Sequence, residues 1–335
     1  MKRGCQKLFL IIIVLGATVV FGVLAYTRVK TTPISRTQYI MGTLIEIVAA
    51  GKNAERAIEA AFDRMREIER QVGRDDTSDI SILNSEAGTK IPVATDTWNI
   101  LTTAKRYWQI TDGAFDITAG ALVDAWGFGY DGVGRFPSSG EIKAALPKTG
   151  SDKLLLFPGK KEAQLGEVGM AITVGGIAKG YAVEEAMKVL KAAGIQNAMI
   201  NGGSSSIKVM GAGLAGRGWR VGIEDPRHDG KTLGVIVLKP GEALGTSADN
   251  KRFFIKDGRR YSHIIDPRTG YPAAKDIASV TVITHDATIA DVLTKALFLN
   301  DLEWSKRFLK QQNLKAVLVK ADGAIYTTPG LQLER

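Results

Sequence analysis

Two spacings of apolar residues run through the chain, and each predicts a different element. Within residues 52–72 apolar side chains fall at 54, 57, 58, 61, 62, 65 and 68, the three-and-four rhythm that lines up on one face of a helix. The same rhythm predicts helices over 95–111, with Thr95 or Asp96 as N-cap, and from the turn Gly175-Gly176-Ile177-Ala178-Lys179-Gly180 to residue 193. It also predicts helices over 288–299 and 302–312, and a short one within 136–147. Short β-former runs bounded by turn residues predict strands at 38–50, interrupted at Met41-Gly42-Thr43, and near 154–157, 171–174, 198–201, 206–210, 219–224 and 232–238. Further strands are expected at 253–255, 261–265, 278–284, 316–319 and 324–327. The three from 206 to 238 read as a meander. Lys256-Asp257-Gly258 reads as a tight hairpin, because an Asp-Gly pair takes the positive φ such turns require. Residues 74–84 and 246–249 read as turns, and 112–134 as a long glycine-rich loop. Helices and strands do not alternate regularly. The expected class is therefore α+β, with antiparallel and mixed sheets flanked by helices, in one body or in two lobes with a cleft, rather than a doubly wound sheet.

The N-terminus changes the picture of where this body resides. Residues 8–26 form a largely apolar, uncharged run of 19 residues, about enough to cross a bilayer at ~1.5 Å per residue. Lys2, Arg3 and Lys7 precede it and would stay on the cytoplasmic side. The expected organisation is an N-terminal membrane anchor or signal segment over 1–30, a linker over 31–37 and one catalytic body over 38–335, facing the periplasm from the inner (plasma) membrane. Val23-Leu24-Ala25 offers a cleavage site, but the length of the run favours an uncleaved anchor. Cys5 is the only cysteine, so no intrachain disulfide can form. The formal charge is +9, of which five positive charges and no acid lie in residues 1–30, leaving the body only mildly basic. No cluster of Lys and Arg interleaved with aromatics points to nucleic acid.

Candidate chemistry is sparse. Gly127-x-Gly129-x-x-Gly132 and Gly211-x-Gly213-x-x-Gly216 spell a dinucleotide fingerprint, but neither sits between a strand and a helix, so both read as turns. The Gly175–Gly180 turn does sit there, which suits either a phosphate on the helix start or close strand-helix packing. Histidines 228, 263 and 285 have no zinc spacing. Asp291 and Thr294 put two oxygens on one helical face, the kind a hard cation takes, although Asp291 alone reads as an acid matched to its helix dipole. His263 sits near the end of a strand, followed by a stiff loop with two prolines and a glycine. It reads either as an acid-base residue or as a strand histidine satisfied by a carbonyl.

These stretches occur together and in order: Met41-Gly42-Thr43, DGAFDITAG…WGFG, GGIAKGYAVEE, INGGS, GWRVGIEDP, TSADN…YSHIIDPRTGYP and SVTVI…ADVLTKAL. In that order they resemble the FAD:protein FMN transferase (ApbE-like) family over about residues 36–330. The resemblance implies a magnesium-dependent extracytoplasmic enzyme. It would split the pyrophosphate of FAD, attach FMN by a phosphoester to a Thr or Ser of an acceptor protein, and release AMP. It implies FAD contacts at Met41, Ala114, Phe115, Asp116, Thr173, Lys179 and Ile265, and a Mg2+ site at the Gly176 carbonyl, Asp291 and Thr294. It also implies catalytic roles for His263, as general base or acid, and for Asp291. Trp126 and Phe128 offer flat faces for the flavin or adenine ring. Four positions depart from the family pattern: Thr173 stands where Asp is usual, Ala248 where Gly is usual, Lys295 where Thr follows Asp-x-x-x, and Arg74 or its neighbours where an aromatic usually follows the first helix. An ammonium at 295 either pairs with Asp291 and displaces the cation or points away and leaves Thr294 as ligand. A flavin-binding module without turnover, or hydrolysis of FAD to FMN and AMP, is the alternative function.

Overall fold

The computed structural model describes residues 32–73, 75–129, 132–273 and 276–334. The anchor or signal segment expected over 1–30 lies outside them, as do Arg74 and Tyr130. Among the described residues no helix is long and apolar enough to cross a membrane.

The body is built on a sheet of eight described strands in the order β1-β2-β6-β7-β10-β13-β14-β15, every pairing antiparallel. These strands are β1 (Ile34–Ile40), β2 (Thr43–Ala50), β6 (Asn197–Gly202), β7 (Ser206–Met210), β10 (Ala243–Ala248), β13 (Ile277–Thr284), β14 (Lys315–Lys320) and β15 (Ile325–Thr327). The helices α1 (Ala54–Val72), α3 (Thr95–Ile110), α6 (Ala178–Ala192) and α7 (Ala287–Phe298) share the main core with it. The pattern explains the packing. On β2, Ile45, Ile47 and Ala49 alternate inward and are fully buried with the α1 stripe of Ile58, Phe62 and Met65. Each such large side chain contributes about 1.5–3 kcal/mol of burial. The hairpin of β8 (Trp219–Glu224) and β9 (Thr232–Leu238) covers other sheet residues, with Trp219, Val221, Ile236 and Leu238 against Ile207, Val209 and Leu244. Covered on both sides, β13 is buried along almost its whole length, with the polar Ser279 and Thr281 buried beside its valines. Helix α8 (Leu302–Gln311) closes a third cluster against β13, β14 and α7.

A smaller lobe stands apart from this core. Helices α4 (Gly120–Ala125) and α5 (Ser139–Ala145) and the hairpin β11 (Phe253–Lys256) to β12 (Arg259–Ser262) gather Leu122, Trp126, Phe128, Ile142 and Ile265. Asp257 and Gly258, at φ 51° and 72°, make the expected two-residue turn. A three-stranded sheet of β3 (Ile91–Pro92), β5 (Glu162–Leu165) and β4 (Leu154–Phe157) completes the fold.

Several expectations give way to long-range pairing. The linker expected over 31–37 is strand β1 from Ile34, held by β2 across the Met41-Gly42 turn. From Asp79, inside the stretch 74–84 read as a turn, runs α2 (Asp79–Ser85), whose first turn Ser78 caps. The 112–134 loop contains α4. Near 171–174 only Ala171 pairs, in an isolated parallel bridge to Ala119, while β4 takes the more polar β5 as partner. The segment 206–238 is not one meander, because β7 pairs with β6 and β10 and leaves β8–β9 by themselves. Residues 246–248 are strand, paired with β13. The returning strand stops at Ser262, so His263 follows it and Ile265 makes only a bridge to Pro272. The N-cap of α3 is Ala94, with no side-chain bond, since Asp96 is turned toward Arg64 and Tyr181.

Candidate active site

The site is organised by the crossing of α6 and α7, which touch backbone to backbone. A Cβ on Gly180 would stand 2.3 Å from the Ala287 carbonyl oxygen, and one on Gly245 of β10 would stand 2.6 Å from that of Ala290. Glycine at both places lets α7 wedge between α6 and β10. Each helix then caps the other. Asp291 of α7 accepts from the Gly180 N–H in the first turn of α6 at 2.9 Å, and Glu184 of α6 accepts from the Ala287 N–H at 2.9 Å. A carboxylate at a helix start satisfies an orphan donor and meets the positive end of the dipole. Asp291 thus serves the dipole of α6 rather than that of its own helix. It is 0% exposed, its second oxygen accepts from Ser206 at 2.6 Å, and Lys295 Nζ lies 3.8 Å from that oxygen. The fully buried Thr294 hydroxyl donates to the Asp291 carbonyl at 2.7 Å and accepts from Ser247 at 2.8 Å.

The glycine turn before α6 closes on Val174, whose carbonyl accepts from the Ile177 and Ala178 N–H groups at 3.0 and 2.9 Å. Its Gly176 faces both Phe115 and Lys295: a Cβ there would lie 3.2 Å from the Phe115 ring and 3.7 Å from Lys295 Cε. Lys179, one turn on, runs its stem past Gly202, and the following Gly203 turn lies against Thr43. Thr43 begins the strand after Met41, which holds φ 54° and donates its N–H to Glu69 at 2.7 Å. A methionine in the left-handed region is uncommon outside strained, functional places. Segments near residues 41, 115, 176, 203 and 291 are therefore brought into one neighbourhood.

His263 joins this neighbourhood from the smaller lobe. Its Nδ1 lies 3.1 Å from the Arg252 carbonyl and its ring packs edge-on to Phe128, 6.4 Å between centroids. Burial holds its pKa down to about 4 against the raising effect of that carbonyl, and the positive charges of Arg252, Lys295 and Lys179 add to the depression. Burial also pushes Lys295 below the usual lysine range, with Lys179 acting in the same direction and Asp291 opposing both. At neutral pH the imidazole is neutral, and Nδ1 donates to the carbonyl, which leaves Nε2 as the acceptor.

Not every expected residue reaches the site with its functional atoms available. Asp116 spends its oxygens on Thr118, the Ser151 hydroxyl at 2.6 Å and the Ser151 N–H at 3.0 Å. Ala114 is buried, and Thr173 anchors its N–H on the Ile117 carbonyl at 2.7 Å beside the glycine turn. Ile265 and Trp126 belong to the smaller lobe's core. Trp126 is fully buried, with its indole N–H on the Gly270 carbonyl at 2.7 Å, so its face serves packing rather than a ring of FAD. The magnesium site expected at Gly176, Asp291 and Thr294 does not fit the oxygens as folded. Both Asp291 oxygens and the Thr294 hydroxyl are engaged, and an ammonium stands where a cation would approach. Among the described residues no group of three or more His, Cys, Asp or Glu side chains is gathered to hold a metal ion. Sequence reasoning missed Ser206, Ser247 and Glu184; Ser206 opens a strand that follows a run of glycines and serines, and Ser247 lies in a stretch that read as turn.

The sequence pattern of the ApbE family matches residues 41–318. The chain is 32% identical over 316 residues to a Rhodobacter capsulatus FAD:protein FMN transferase, covering 91% of this chain and 59% of that protein's length. It is 29% identical over 325 residues to a Treponema pallidum protein of the same name, covering 91% and 89%. The crystal structure of an ApbE protein from Thermotoga maritima superposes with a TM-score of 0.82 at 32% identity, covering 89% of this chain and 97% of that one. The apo flavinyl transferase ApbE of Pseudomonas stutzeri does so at 0.79 and 28% identity, covering 89% and 95%. With the family pattern matched over residues 41–318 and relatives 32% identical across most of its length, the chain belongs to the ApbE family.

Proposed function

We propose that this chain is an FAD:protein FMN transferase. The acceptor's Thr or Ser hydroxyl oxygen attacks the phosphorus on the FMN side of the diphosphate, its proton passes to Nε2 of His263, and the bridging P–O bond breaks so that AMP leaves with the bridging oxygen. Phosphoryl transfer of this kind depends on positioning and charge neutralisation more than on covalent chemistry. Lys179, in the first turn of α6, supplies positive potential for the diphosphate. FAD would lie between the main core and the smaller lobe, against Met41, Phe115 and the glycine turn. The observation that carries this reading is the neutral His263, oriented by the Arg252 carbonyl and within the field of Lys179 and Lys295. Magnesium, implied by the resemblance, would meet the Lys295 ammonium 3.8 Å from Asp291. For the N-terminal run, the reading is an inner-membrane anchor that leaves the catalytic body in the periplasm, supported by the uncharged stretch at 8–26 behind Lys2, Arg3 and Lys7.

The test mixes purified protein with FAD and a Thr- or Ser-bearing acceptor, following AMP release and covalent flavin fluorescence of the acceptor on a denaturing gel. Both signals are expected, and neither one under any choice of divalent ion would refute the assignment. Free FMN without an adduct would select hydrolysis, a reading that the Asp291–Lys295 pair favours over storage alone because it still provides charge for the diphosphate.

A further inference from the structure

The transferase reading leaves open what neutralises the diphosphate, and the α6–α7 crossing contains the group to do so. Lys295 follows Asp291 by one helical turn on the same face, its ammonium 3.8 Å from the carboxylate, with its stem against Gly176 at the start of α6. The side chain is 22% exposed, so it is neither sealed in the core nor free in solvent. Asp291 has its two oxygens on the Gly180 N–H and the Ser206 hydroxyl. Thr294 is closed off by Ser247 and by its own helix. A divalent ion at these oxygens would stand within a few ångströms of the Lys295 ammonium, which sets charge repulsion against it. An anion meets the opposite situation: Lys295 is oriented by a carboxylate behind it with its stem at Gly176, and Lys179 follows that glycine by three residues in the first turn of α6.

We propose that Lys295, held by Asp291 and paired with Lys179 across the Gly176 turn, is a built-in cation that binds the diphosphate of FAD in place of a divalent metal. With Asp291 counted, the two lysines leave a net positive charge for the diphosphate, and that charge is covalently part of the chain and needs no metal supply. This inference rests on the transferase reading for the identity of the ligand. Lys295→Thr removes the ammonium and leaves the Asp291 carboxylate uncompensated beside a new hydroxyl, which turns the same place into a set of oxygens that a hard cation can use.

FAD affinity, read by quenching of flavin fluorescence in EDTA and then with excess MgCl2, tests this without any turnover. In the wild-type protein the two dissociation constants agree within about twofold, and Lys295→Ala weakens binding in EDTA by about 10- to 100-fold, the range for losing one charge-assisted bond. Lys295→Arg keeps metal-independent binding. In Lys295→Thr, added Mg2+ recovers at least about tenfold of the loss. Circular dichroism on each variant separates folding from binding. A wild-type affinity that rises tenfold or more with Mg2+, or a Lys295→Ala protein that binds like the wild type in EDTA, overturns the inference and leaves the transferase reading intact. Absence of FAD binding in both buffers overturns both.

Discussion

Replacing Gly180 by alanine sets two effects of opposite sign against each other. In a helix interior alanine is favoured over glycine by about 0.8–1.0 kcal/mol, so propensity alone predicts a more stable protein. The added Cβ, however, would stand 2.3 Å from the Ala287 carbonyl oxygen, 2.9 Å from its carbon and 3.1 Å from Asp291 Cβ. The first two are backbone atoms of the neighbouring helix and cannot turn aside. Relief requires α7 to move by about an ångström, and overpacking of this kind typically costs 1–3 kcal/mol. Separation of the helices also stretches the Gly180 N–H bond to Asp291 and the Ala287 N–H bond to Glu184, each worth about 1.5–3 kcal/mol as a bond to a charged group. The expected net is a loss of about 2–4 kcal/mol in urea unfolding, with weakened FAD binding because Lys295 moves with α7. Gly140→Ala in α5 is the control: its Cβ would meet nothing closer than Ser138 Oγ at 3.8 Å, so the same substitution there should be neutral or stabilise by up to about 1 kcal/mol. Equal stability changes at the two sites would refute the close helix crossing.

Asp291→Ala leaves the Gly180 N–H and the Ser206 hydroxyl without their acceptor and Lys295 without its counter-charge, and should cost about 3–5 kcal/mol by chemical denaturation. His263→Ala should lower transfer about 10²- to 10⁴-fold while FAD still binds, measured by AMP release beside flavin quenching. Because the folded imidazole has its pKa at about 4 instead of 6.5, transfer should hold level across neutral and mildly acidic pH and fall only as pH drops through about 4. The same depression means the unfolded chain binds the proton first, so stability is lost as pH falls from about 6.5 to about 4, by at most about 3 kcal/mol; a pH titration of the denaturation midpoint checks the sign. Met41→Asn should relieve the left-handed strain and raise stability by up to about 1 kcal/mol. If Met41 contacts FAD, quenching will show weaker binding in the same variant.

The local grammar of the chain was legible from end to end of the body wherever neighbours in sequence set the outcome. The stripe of α1, the helices α6, α7 and α8, and the Asp257-Gly258 turn depend on residues within about one turn of each other, and periodicity or positive φ alone specified them. The motif order also pointed to the family. Strand partners were another matter: β10 read as a turn because Thr246, Ser247 and Ala248 have weak strand character, and only its pairing with β13 makes it sheet. The roles of the polar residues depended on distance most of all. Asp291 acquires its meaning from Gly180 and Ser206, 111 and 85 residues away, and Asp116 is tied to Ser151, 35 residues on. A carboxylate carries the same charge in every sequence, but whether it holds a metal, a lysine or a helix end is decided by which donors the fold brings within 3 Å. Hydrogen bonds act over that range and no further, so only the tertiary structure could settle it.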